Sequence, residues 1–200
     1  MTIINAHPLT TTSTDHGSAR RPRRAPSTSR VRRRTAAGAA HGPFSLAVAL
    51  TLTGLFAGFF VTYSVSVVLG LARVDDITYV TTFQAINDTI RNAAFATFFF
   101  GCVPSIAWAL AAHRTSGRRT IASLSCGLAA CAGVILTTFL GNVPLNEELG
   151  AVIDLDASTA AAARSDFENL WNQLNLARAV LATIGLAAVA VAASFGRSAS

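Results

Sequence analysis

Four long apolar blocks, separated by short polar stretches, constrain this chain more than any other feature. The first runs from Phe44 to Ala72, 29 residues without a charge. A helix that crosses a bilayer core needs about 20 consecutive apolar residues. Four segments meet that need: Ser45–Leu71, Ala93–Ala112, Ile121–Leu140 and Ala177–Phe195, three of them uncharged and the last interrupted by Arg178 alone. Only 13% of the 200 residues are charged and mean hydropathy is +0.47, far from the balance of a soluble domain, in which about a quarter is charged. The expected fold is all-α, a four-transmembrane-helix bundle over residues 44–196 behind a basic tail over residues 1–43. The length leaves no room for a second folded unit.

The tail carries four prolines, a Ser/Thr run from Thr10 to Thr14 and eight of the sixteen arginines, Arg20 to Arg34; the chain has no lysine. Such a segment cannot bury enough apolar surface to offset its ordering entropy, so disorder is expected. Beside a membrane span its arginines should attract anionic lipid. With neither interleaved aromatics nor a folded module, specific nucleic-acid binding is not expected. A secretory signal has an apolar core of about 7 to 15 residues, so the block beginning at Phe44 is read as a retained span.

Charge sets the orientation. One side of the membrane would hold the tail, Arg114, Arg118, Arg119 and Arg197, twelve arginines against the single acid Asp15. The other would hold four arginines and nine acids. The positive-inside rule then places both termini in the cytoplasm of a multi-pass cell-membrane protein. Gly54 and Gly58 form a GxxxG pair in the first span, read as packing within the bundle, with a dimer contact as the lesser alternative. Cys102, Cys126 and Cys131 lie inside apolar blocks with no CxxC pair and are read as packing residues.

The informative polar residues lie near the helix ends on the side away from the termini. Asp75 and Asp76 cap a helix expected to continue through Arg91 into the second span, with Gln84, Asn87 and Arg91 on one face and Phe83, Ile86 and Ile90 opposite. After the third span, Gly141–Leu149 reads as a compact loop, with Pro144 fixing the turn, Asn146 as a helix cap and Glu147 and Glu148 in the following first turn. The fourth span is expected to start outside the membrane as an amphipathic helix, on which Trp171, Asn175 and Arg178 align at i, i+4 and i+7. Trp171 reads either as an interfacial anchor or as a platform for a flat ligand. Gln84, Asn87, Asn142, Asn146, Asn175 and Arg178 thus converge at one end of the bundle. The cluster has two readings: a site, or a hydrogen-bond network tying helix ends together.

At these residues, Phe83-Gln84-Ala85-Ile86-Asn87, Asn142-Val-Pro-Leu-Asn146 and Trp171-Asn172-x-x-Asn175-x-x-Arg178, the chain resembles the anthrone oxygenase-like family of small four-helix membrane proteins, over residues 45–195. The resemblance implies the same membrane fold. For a few characterised relatives it implies oxidation of an anthrone to an anthraquinone by molecular oxygen, with no bound cofactor. It carries over Gln84, Asn87, Asn142, Pro144, Asn146, Trp171, Asn175 and Arg178 as matching positions.

Such chemistry needs proton removal, stabilisation of the resulting anion and a dry pocket. Arg178, Asn142 and Asn146 are the candidate catalytic anion stabilisers. Gln84, Asn87, Trp171 and Asn175 are the candidate binders of a lipophilic aromatic molecule. The candidate bases are Glu147, Glu148 and Asp88, since no histidine falls on that side. No His/Cys/carboxylate grouping has ligand spacing, so no transition-metal site is expected, and the resemblance implies no cofactor. The alternative is a non-catalytic membrane protein, an assembly subunit or a lipophilic-ligand binder whose polar cluster is structural. A transporter is a weaker third, for want of paired broken helices.

Overall fold

A computed structural model describes residue 2 and residues 28–197, with side chains from 42 to 195. The disorder expected of the tail, and its contact with anionic lipid, concern residues that lie mostly outside that description. Every regular element of the described residues is helical, with no strand among them. Its first rod is α1 (Thr28–Thr62), continued through a π turn (Tyr63–Val67) into α2 (Val68–Leu71). Then come α3 (Asp76–Thr89), α4 (Ala93–Ala112) and α5 (Arg118–Thr137). A second π turn (Thr138–Asn142) leads into α6 (Val143–Gly150), and α7 (Ala157–Arg197) closes the chain. Four stretches are long and apolar enough to cross a membrane: Gly42–Leu71, Ala93–Ala112, Arg118–Gly150 and Ala157–Phe195.

The spans form a ring in which α1 packs on α4 and α7, and α5 on α4 and α7. Lipid tails are as apolar as the helix surfaces, so what draws such helices together is close packing. Between α5 and α7, Gly127 and Gly185 leave no space for a side chain. A Cβ at Gly185 would stand 2.6 Å from Cys131 Sγ, and one at Gly127 would stand 3.3 Å from the Gly185 carbonyl oxygen. Gly54 and Gly58 do not pack within the bundle as expected: a Cβ at either meets nothing within 4 Å. The bundle core is built from Phe56, Phe60, Phe99, Ile106, Leu124, Val134 and Val189, with Cys102 and Cys131 buried among them.

A second apolar cluster caps the ring at the end away from the termini. Tyr79, Val80 and Phe83 of α3 pack there against Tyr63, Leu149, Phe167 and Trp171. The last two stand on α7, a helix of 41 residues and so about 60 Å long. That is about twice a bilayer core, and the segment expected to precede the fourth span is continuous with it in this one helix.

Two expected connections differ. The α3 helix does not run through Arg91: the Asn92 side chain donates to the Thr89 carbonyl (3.0 Å) and accepts from the Phe95 N–H (3.0 Å), ending α3 and starting α4. Asp75 does cap α3, accepting from the Thr78 N–H at 3.0 Å. Nor does a loop follow the third span, which stays helical to Gly150. Proline cannot supply the N–H that the Leu140 carbonyl would receive in an α-helix. The chain crosses that place as a wider π turn, in which the Val143 N–H bonds to the Thr138 carbonyl. Asn146 therefore lies mid-helix rather than at a cap, and Glu147 and Glu148 sit in the last turns of α6 rather than the first of a new helix.

Candidate functional site

The ring encloses a cavity of about 600 Å³ at the end away from the termini. Its walls are largely aromatic: Phe59, Phe60 and Tyr63 from the first rod, Phe95, Phe99 and Phe100 from α4, Phe139 from the second π turn and Trp171 from α7. The volume suits a ligand of a few fused rings. Phe95 and Phe99 stack with centroids 4.9 Å apart, and Phe59 meets Phe95 edge to face at 5.4 Å.

Into this apolar space α7 brings Arg178, 94% buried by the exposure of 6% left to it. No carboxylate pairs with it; the described ion pairs belong to Arg164, with Asp76 and Glu168. Neutral groups hold it instead. Nη1 donates to Thr138 Oγ1 (3.4 Å), Nη2 donates to Asn175 Oδ1 (3.1 Å), and Nε has no partner. The guanidinium carbon lies 4.8 Å from the Phe60 ring centroid and 5.2 Å from that of Trp171, so two ring faces supply the remaining attraction. Asn175, buried one helical turn earlier, donates to Ser64 Oγ at 2.8 Å. Ser64 and Thr138 each belong to one of the two π turns. Both departures from regular helix thus flank the same arginine, a placement common for π turns at functional sites.

The other expected residues divide. Asn87, Asn146, Trp171, Asn175 and Arg178 all line the cavity, and so do Arg91 and Glu147 at its exposed rim. Asn87 Nδ2 is buried without a partner, a second unused donor. The Trp171 indole is 5% exposed rather than interfacial, and its Nε1–H donates to Asn146 Oδ1 at 2.8 Å. Gln84 and Asn142 are not among the walls. Gln84 Nε2 donates to the Leu149 and Val152 carbonyls, both at 2.9 Å, and so closes the end of α6. Asn142 is fully buried, with Nδ2 3.4 Å from the Trp171 carbonyl. Ile86 and Ile90, expected opposite the Asn87 face, line the same cavity beside it, because adjacent residues on a helix lie only about 100° apart. Of the candidate bases, Glu147 lines the cavity, Glu148 faces a separate pocket of about 140 Å³, and Asp88 lines neither.

A family model for anthrone oxygenase matches residues 83–188. The chain belongs to the anthrone oxygenase family. The match runs from Phe83 on α3 to α7 and takes in every residue on which the resemblance rested, though it is shorter than the expected 45–195 and omits the first rod. No curated protein and no solved structure matches the chain. The site of this family member nonetheless draws Phe59, Phe60, Tyr63 and Ser64 from that rod. These four and Thr138 were not among the residues expected at the site. One signal was present: Phe56, Phe59, Phe60 and Tyr63 recur at i, i+3, i+4 and i+7, an aromatic face on one side of a helix.

Proposed function

We propose that this membrane protein is a cofactor-independent oxygenase of a lipophilic aromatic substrate, an anthrone or a close analogue. The observation that supports it most is an unpaired arginine held by neutral groups in an aromatic-walled cavity. A buried charge without a counter-charge is costly, and an anionic ligand oxygen would relieve that cost. In the proposed reaction the Glu147 carboxylate removes a proton from the methylene carbon flanked by the rings. The negative charge spreads to the carbonyl oxygen across the ring system, where the donors of Arg178 and Asn87 receive it. The carbanion reduces O₂ as a carbon–oxygen bond forms, and the peroxide takes back the proton from Glu147. Loss of the second carbon-bound proton, with departure of hydroxide, leaves the second ketone. Overall a CH₂ and O₂ become C=O and H₂O.

Asn175 and Thr138 would orient the guanidinium, and Asn146 would fix the Trp171 ring as a wall. Gln84 and Asn142, with hydrogen bonds behind the walls, favour the structural reading for their share of the cluster. We further propose that the protein sits in the cell membrane with both termini cytoplasmic, so that the cavity opens toward the outer face. The tail arginines would then lie against anionic lipid.

The test is oxygen uptake and quinone formation by membranes carrying the protein, given a simple anthrone and corrected for its spontaneous oxidation. Acceleration by the wild type that vanishes in Arg178→Met at equal protein level is the expected result. Equal rates in wild type, variant and empty membranes would instead favour a lipophilic-ligand binder or an assembly subunit.

A further inference from the structure

We infer that the substrate reaches the cavity sideways from the bilayer, through a groove floored by Gly54 and Gly58; this rests on the cavity being the substrate site. A second hollow, of about 800 Å³, lies between α1, α3 and the start of α4. Phe59, Tyr63, Ile86, Ile90 and Asn92 line both it and the Arg178 cavity, so the two are separated by little more than those side chains. Leu55, Gly58 and Thr62 are exposed on the Gly42–Leu71 span, which puts the groove's outer side at membrane depth. Its floor stays open because neither glycine carries a side chain and a Cβ at either meets nothing within 4 Å.

The occupant follows from where the groove leads. A second copy of the chain would find a small-residue stripe there, but such an interface has no need to communicate with a cavity. A fused-ring aromatic concentrates in the bilayer, and from water it would have to pass the charged rim formed by Arg91 and Glu147. The groove offers it an apolar path, with Phe59 and Ile90 as the side chains to be displaced. Asn92, where α3 gives way to α4, stands at the junction, and helix ends are where backbone shifts are most readily absorbed.

The experiment uses the full chain with Trp108→Phe, so that Trp171 is the sole indole, in nanodiscs of phosphatidylcholine with phosphatidylglycerol. Anthraquinone, which partitions into the discs, is followed by quenching of Trp171, and anthraquinone-2-sulfonate serves as a water-borne comparison. Gly58→Leu and Gly54→Leu fill the groove; Gly70→Leu adds the same side chain at an open position outside it. The expected result is quenching that develops and reverses about tenfold more slowly in both groove variants at unchanged affinity, with Gly70→Leu and the sulfonate unaffected. Unchanged anthraquinone rates would overturn the lateral route while leaving the cavity as the site. So would equal slowing of the sulfonate, or a wild-type dimer that Gly58→Leu dissociates without altering the rates. Quenching that is absent, or indifferent to Arg178→Met, would sink the site itself and the route with it.

Discussion

The two ends of the bundle handle polar groups in opposite ways. Toward the termini the hydroxyls donate within their own helix: Thr53 to the Ala49 carbonyl (2.6 Å), Ser105 to that of Cys102 (2.6 Å) and Thr183 to that of Ala179 (2.7 Å), while a weak bond from Cys102 Sγ to Thr53 Oγ1 (3.7 Å) crosses between helices there. At the far end Gln84, Trp171, Asn175 and Arg178 reach across to other elements. Among the described residues, the buried side-chain polar atoms left without partners, on Asn87, Asn142, Asn172 and Arg178, all belong to that end. Helices that satisfy themselves need only fit, and glycines at 127 and 185 let them. Helices that bond to one another can hold side chains at fixed angles around an empty space, with donors left over for a ligand.

That contrast can be broken from either end. Arg178→Met is expected to lower quinone formation about 10²- to 10³-fold, the usual effect of losing one preorganised donor to an oxyanion. Its thermal stability in detergent should hold or rise, because an apolar side chain of similar size replaces an uncompensated charge. A large fall in stability would mean that the arginine is part of the scaffold. Gly185→Val should do the reverse: the collision with Cys131 is expected to cost about 1–3 kcal/mol of stability, seen in a denaturation series, while anthraquinone affinity of the folded fraction is unchanged. Gln84→Leu frees the Leu149 and Val152 carbonyls and should cost about 1–2 kcal/mol. The loss should register as faster hydrogen exchange at the end of α6, with the cavity intact.

The smallest effect concerns pH at the start of α7. Asp156 Oδ1 accepts from the Ser158 N–H, the Ser158 hydroxyl and the Thr159 N–H at 2.7–2.8 Å. The backbone bond to Thr159 foremost, then the Ser158 hydroxyl, hold its carboxyl at about 2, below the ordinary 3.8. A depressed carboxyl stabilises the fold above its ordinary value. That contribution should fade as pH drops from about 4 through about 2, and Asp156→Asn should flatten the response in a melting series over that window.

The spans were legible because length and apolarity alone define them, and the start of α3 because Asp75 is a strong cap. Convergence of Asn87, Trp171, Asn175 and Arg178 was legible from helical spacing and the order of the spans, and that of Asn146 from its place just after the third span, although it was expected in a loop. The rest depended on competition between neighbours. Asn92 ends α3 by bonding in both directions, which no periodicity reveals, and Pro144 signals a turn unless a π turn can absorb it. Gly54 and Gly58 look like the packing pair; Gly127 and Gly185 take that part because their partners stand across the interface. Ser64 and Thr138 carry no motif and matter only for what α7 brings to them.

The second π turn has a consequence for register. It fits an extra residue into the rod, and one residue of an α-helix is worth about 100° of rotation. Everything beyond it, Asn146, Glu147 and Leu149 included, owes its facing to that single insertion. Deleting one residue between Thr138 and Asn142 would keep composition, length of span and apolarity nearly as they are, yet would swing the Asn146 amide off the Trp171 indole and the Glu147 carboxylate off the cavity rim. Relatives in which this segment is one residue shorter should therefore present a different α6 face to the cavity, and with it a different choice of molecule.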